Sequence, residues 1–239
     1  MKNEKIVKYN DIGSVLYRKN TRARNISIRI SGAGEVKVTV PRFCTFQAAE
    51  SFVFQKHSWI KKKLLSLERR NERKLVWDEG TILSMHGGRI YIEKGEADII
   101  EVNQIGNDYQ VFLSTGYDRE NENDQNSLRQ IIGNIGLKEA KIQFPDMLKR
   151  IAEKYELDFK RLTVRRMKSR WGSCTPENNI SLNSALVFLS NSLIEYVMLH
   201  ELVHTRHKNH GKDFWERLEQ LMPDAKERRK MLNKHEIIF

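Results

Sequence analysis

The sequence predicts an α+β fold: a small β-rich N-terminal domain carrying a basic helix, followed by a mainly helical second domain. Three observations carry this expectation. Short apolar runs with period-two alternation recur through the first half, helical spacing dominates the second, and the polar, acidic stretch 117–126 between them has no apolar periodicity. The expected domains are therefore 1–116 and 127–239, and a chain of 239 residues buries enough surface to fold without disulfides.

Asn25 to Ile30 alternates, Ser31 to Gly34 supplies a turn, and Val36 to Val40 alternates again up to Pro41, which together read as a hairpin with one buried face. Thr45 is the N-cap expected for a helix with apolar positions at Ala48, Phe52, Ile60 and Leu64, reaching about Lys74. Ile82 to Met85, Arg89 to Ile92, Ile99 to Val102 and Tyr109 to Leu113 then read as strands. Leu128 to Tyr155 is helical in period but contains Gly133, Gly136 and Pro145, so two helices or one broken helix are expected. Leu162 to Met167 and Asn179 to Leu182 look like a second hairpin. A buried helix follows from Ser192, where Glu195 completes a capping box, to about His207, with Asn209 and Gly211 ending it.

Composition narrows the function classes. A net charge of +11 and a pI near 9.6 predict attraction to polyanions without specifying one. No stretch approaches the roughly 20 apolar residues that span a bilayer, and the N-terminus lacks the apolar core of a signal peptide. Cys44 and Cys174, far apart and without a partner pattern, read as free thiols, so a cytoplasmic location is expected.

The chemistry-bearing run is His200-Glu201-Leu202-Val203-His204, an HExxH sequence inside the expected buried helix. Residues four apart share a helix face, so both imidazoles can reach one Zn2+ ion, while Glu201 is placed to act on a water as general base. An open zinc site needs a third protein ligand. On a continuous helix His207 would stand roughly 10 Å along the axis from His200, too far to share an ion. His210, beyond the helix end, is the better candidate, with Glu216 or Glu219 on a following helix from about Lys212 to Leu221 as the alternative.

The run from Arg166 to Trp215, with Ser169-Arg170-Trp171-Gly172-Ser173-Cys174, Leu182-Asn183 and HELVHTRHKNHGKDFW, resembles the YgjP-like zinc metallopeptidase family, which is related to SprT-like proteases. The N-terminal hairpin, Pro41 and the Trp59-Ile60 helix also resemble that family's layout. The resemblance implies a zincin-type catalytic domain, peptide or protein substrates, and ligands at His200, His204 and His210. Arg170, Trp171 and Ser173 are candidates to line the substrate cleft, Arg170 by holding a carbonyl or carboxylate; the competing readings are an internal ion pair for Arg170 and core packing for Trp171. Phe214 and Trp215 are expected to pack where they hold His210, and Cys174 to be a buried small residue.

The run Lys56 to Lys74 has eight cations against Glu68 and Glu72. It reads as a solvated helix face, with weak nucleic-acid binding as the alternative. Two competing functions follow: a nucleic-acid-associated protein, including a SprT-type protease of DNA-bound proteins, and a non-catalytic protein that zinc stabilises.

Overall fold

The computed structural model describes residues 3–31, 34–72 and 75–237, and side chains throughout except over 68–72. The fold mixes α-helices with β-sheets and divides into two compact units, Met1–Leu75 and Val76–Phe239. No helix among the described residues is long and apolar enough to cross a membrane.

The first unit is a four-stranded sheet with two helices. β1 (Glu4–Tyr9) pairs antiparallel with β2 (Gly13–Asn20), β2 pairs parallel with β4 (Val36–Pro41), and β3 (Ser27–Ile30) pairs antiparallel with β4. The expected hairpin is thus β3 and β4, but it sits at the sheet edge in the order β1-β2-β4-β3. Alternation sends Val15, Tyr17, Val36, Val38 and Val40 to one buried face. That face packs with Ala49 and Val53 of α1 (Phe46–Gln55) and Ile60 of α2 (His57–Glu72). Thr45 Oγ1 accepts from the Ala48 amide at 3.1 Å, so it does cap α1. The single helix expected here is two, parted at Lys56.

The second unit opens with a four-stranded sheet ordered β5-β6-β8-β7: β5 (Ile82–Met85), β6 (Gly88–Lys94), β7 (Glu101–Ile105) and β8 (Asp108–Leu113). It shares one core with the long helix α3 (Glu122–Lys154). The polar stretch 117–126, expected to separate domains, lies inside this unit. Asn121 caps α3 there, and the buried Gln125 side chain accepts from the Trp77 amide at 3.1 Å and donates to the Trp77 carbonyl at 2.8 Å.

α3 is continuous through all three residues expected to break it. A Cβ on Gly136 would stand 2.5 Å from the Phe188 ring, so this glycine serves close packing. Pro145 is on the exposed side of the helix, where a carbonyl deprived of its amide partner costs least.

The remaining chain adds strands as well as helices. β9 (Arg161–Arg165), β10 (Gly172–Cys174) and β11 (Asn179–Asn183) form a sheet ordered β10-β11-β9. The hairpin expected between β9 and β11 is absent: these strands are parallel, and β11 pairs antiparallel with β10, the edge strand. A 3₁₀ turn (Ser184–Phe188) leads to α4 (Asn191–Val203), α5 (Lys212–Leu221) and α6 (Ala225–Leu232).

Candidate metal centre

α4 is buried around most of its circumference, which fixes its rotation and therefore where its polar residues emerge. Its N-cap is Ser190 rather than Ser192, and it ends at Val203 rather than near His207. The early end has a local cause: Thr205 Oγ1 donates to the Leu202 carbonyl at 2.7 Å, and the chain turns from His204 onward. His200 and His204 therefore occupy the last turn and the cap of α4.

The turn carries His210 back to them. His210 Nε2 lies 2.9 Å from His200 Nε2 and 3.1 Å from His204 Nε2, and one ligand nitrogen from each of the three falls within 4.8 Å of the others. In a tetrahedral site with Zn–N bonds of about 2.0–2.1 Å, ligand nitrogens stand about 3.4 Å apart. The three imidazoles need open by only a few tenths of an ångström to hold an ion. His204 is oriented for this, because its Nδ1 donates to the His207 carbonyl at 2.9 Å and so leaves Nε2 as a lone pair facing the cluster. His207 itself contributes a backbone oxygen and no ring nitrogen. Glu216 and Glu219 are outside the cluster, 3.5 Å from Lys212 and 2.8 Å from Lys226.

Phe214 of α5 is the floor beneath the rings. It is fully buried, stacks on His204 at 4.4 Å between centroids, and meets His200 and His210 edge-on at 4.9 and 4.8 Å. Burial pushes the His200 pKa down to about 3, with smaller effects from His204, His210 and Arg229. Burial also lowers His204 and His210. Neutral imidazoles with lone pairs converging on one point are what a borderline-soft divalent cation such as zinc requires. Among the described residues, the hydrogen-bond contacts of these Nε2 atoms are with one another.

Glu201 is 5% exposed, and its Oε2 has no hydrogen-bond partner. Burial raises its pKa to about 8, opposed by the charge of Arg170. The space it occupies exists because residue 172 lacks a side chain: a Cβ on Gly172 would stand 2.6 Å from Glu201 Oε1.

The other residues expected around the cleft separate in behaviour. Arg170 is exposed and close enough to Glu201 to act on its charge. Trp171 is half-buried and packs against the main core. Ser173 lies on the edge strand β10. Cys174 is a half-buried free thiol whose pKa burial raises.

Sequence reasoning did not single out Asn183 as an organising residue. This buried side chain accepts from the amides of Met167 (3.3 Å) and Ala185 (3.1 Å) and donates to the carbonyls of Met167 (2.8 Å) and Arg170 (3.0 Å). Its own amide donates to the Trp171 carbonyl at 2.8 Å. Tyr196, one turn before His200, and Arg229 on α6 were also missed. The i, i+4 spacing of 196, 200 and 204 was a signal for the first; only tertiary packing reveals the second.

The family described as YgjP-like, metallopeptidase domain, matches residues 24–235. No curated protein matches the chain. Similar solved structures include the metallopeptidase zymogens jannalysin of Methanocaldococcus jannaschii and abylysin of Pyrococcus abyssi. The first is 24% identical, covers 38% of this chain and 94% of its own, and has a TM-score of 0.34. The second is 23% identical, covers 38% and 92%, and has the same TM-score.

Proposed function

The chain belongs to the YgjP-like metallopeptidase family, which makes it a metal-dependent protease, and from that premise we propose that it cleaves peptide bonds with zinc held by His200, His204 and His210 and with Glu201 as general base. The observation that carries this reading is the convergence of three imidazole nitrogens, with a buried carboxylate whose Oε2 has no partner at the helix position that follows His200. When bound, zinc supplies Lewis acidity, acidifying a water and polarising a carbonyl. Ionisation of Glu201, which burial opposes in the metal-free protein, would be favoured once a dication is held by the three histidines. The ionised carboxylate then takes the proton of the attacking water and delivers it to the leaving amine. Phe214 and the His207 carbonyl hold the imidazoles in place, and Gly172 leaves the carboxylate room to work.

Zinc analysis combined with a peptide library is the direct test. About one zinc per chain, cleavage abolished by chelation and restored by zinc, is the expected result. Full activity after exhaustive chelation would refute the metal's role, and a zinc-replete protein that cleaves nothing would favour the stabilising role instead.

A second reading attaches to the first unit and rests on how charge is partitioned. Residues 1–75 contain 18 Lys and Arg against 6 Asp and Glu, a net +12, whereas residues 76–239 contain 24 against 25. Lys61 is engaged with Asp11 at 3.4 Å, but Lys56, Lys62 and Lys63 are exposed beside Trp59, which is 50% exposed. Arg73 and Lys74 lie outside the described residues, as do the side chains of Arg69 and Arg70. Cations flanking an exposed indole suit a single-stranded nucleic acid, phosphates on the amines and a base on the ring. Neutralising Lys56, Lys62 and Lys63 should weaken oligonucleotide binding and flatten its salt dependence, read by fluorescence anisotropy. No binding by the unmodified protein at low salt would leave a solvated helix face.

A further inference from the structure

One cation beside the histidine cluster has no part in the mechanism above. α6 is fixed in rotation by Arg228, whose Nε donates to Asp224 Oδ2 at 2.8 Å and whose Nη1 donates to Glu195 Oε2 at 3.0 Å and to the Ser192 carbonyl at 2.9 Å. The next residue, Arg229, emerges about 100° further round the helix. Its guanidinium lies 4.7 Å from the centroid of the Trp215 ring. That ring is 6.0 Å from His210 and 6.3 Å from His200.

Arg229 is exposed, while Glu195 and Asp224 are paired with Arg228, Glu216 with Lys212, and Glu219 with Lys226. No carboxylate pairs with it among the described residues. Its charge nonetheless reaches the cluster, where it helps to lower the pKa of His200 and His210. Resting over an indole face restrains a guanidinium, and its N–H fork can donate two parallel hydrogen bonds to a carboxylate. Anchored over Trp215 and without a carboxylate partner among the described residues, this guanidinium is placed to pair with a carboxylate that a substrate brings.

We propose that Arg229 is a specificity-determining residue that binds a substrate carboxylate next to the scissile bond, so that the preferred substrates are peptides with an acidic group at that place. This rests on the peptidase reading above. The carboxylate has two sources, an Asp or Glu side chain and the free C-terminus of a short peptide, and the chemistry of recognition is the same for both.

The test separates binding from turnover. In the zinc-loaded Glu201→Gln protein, fluorescent peptides with Asp at each position around the cleavage site are compared with their Asn counterparts, each with an amidated and with a free C-terminus. The expected result is at least about tenfold tighter binding of the acidic peptide at one position, or of the free-terminus peptide over the amidated one. Adding Arg229→Gln should remove the difference, and Arg229→Glu should shift the preference toward Lys-containing peptides. Arg229→Lys keeps the charge without the planar fork and should restore part of the preference, which a purely stacking role for Arg229 on Trp215 would not. In the active protein the same ratios should appear in kcat/KM.

Preference confined to amidated Asp peptides assigns the site to a side chain; preference confined to free termini assigns it to the chain end. Equal binding of Asp and Asn peptides and of both termini, or a preference that survives Arg229→Gln, overturns the proposal. Acid-selective binding that persists while the Glu201 protein cleaves none of these peptides would count against the peptidase reading and leave the carboxylate site standing.

Discussion

Replacing Glu201 with glutamine is expected to lower peptide hydrolysis by about 100-fold to 10,000-fold while zinc content stays at that of the unmodified protein. Glutamine preserves the size of the side chain and fits the space left by Gly172, so the local packing that a larger residue would disturb is kept. It cannot take a proton from water. Metal content and rate must be measured on one sample, since metal loss alone would abolish activity. Hydrolysis at the original rate would show that Glu201 is not the base.

The metal-free protein offers an independent check with a defined sign. Glu201 has a pKa near 8 in the folded state against an ordinary 4.5, so below about pH 4.5 it is protonated in both states. Between pH 4.5 and 8 the unfolded chain releases that proton and the folded chain keeps it, so stability falls as pH rises. Glu201→Gln lacks this term. Without metal it should become progressively more stable than the parent as pH rises, by an order of a few kcal/mol at pH 8, read as a difference in Tm. His200 acts oppositely, destabilising the metal-free fold as pH drops from about 6.5 toward 3, but it is common to both proteins and cancels in the comparison.

His210→Ala is expected to reduce zinc affinity by more than about 100-fold, the upper range seen for losing a mere supporting partner, because a direct ligand is removed. His207→Ala should leave affinity close to that of the parent. The two residues differ in which atom faces the cluster: His210 presents Nε2, whereas His207 presents the carbonyl that accepts from His204 Nδ1, and alanine has the same carbonyl. Isothermal titration of metal-free protein measures both. Retention of zinc by His210→Ala together with its loss in Glu216→Ala or Glu219→Ala would move the third ligand to α5.

The site was legible where its chemistry is local. His200, Glu201 and His204 are three residues within about one turn at the end of α4, and the return of His210 was expected from chain-turning residues at 209 and 211. The geometric ground for setting His207 aside did not hold, because α4 ends at Val203; it is set aside because its backbone carbonyl meets His204 while its ring is not among the three grouped histidines. The fold was less legible wherever partners are distant. β9 and β11 have the apolar pattern of a hairpin, yet parallel pairing depends on where the intervening chain travels, which no local pattern encodes. β1 and β2 passed unnoticed because charged side chains interrupt their alternation, and Gly136 read as a helix breaker because the ring of Phe188, more than fifty residues away, was out of view.

Four of the five hydrogen bonds of Asn183 reach the loop from Met167 to Trp171 and give it a single point of failure. Met167, Arg170 and Trp171 are tethered through one amide side chain and one backbone group, so their polar contacts are kept or lost together. Asn183→Ala is therefore expected to release these contacts together and to raise hydrogen exchange across the rim bearing Arg170 as one unit, with little change in the core beneath it.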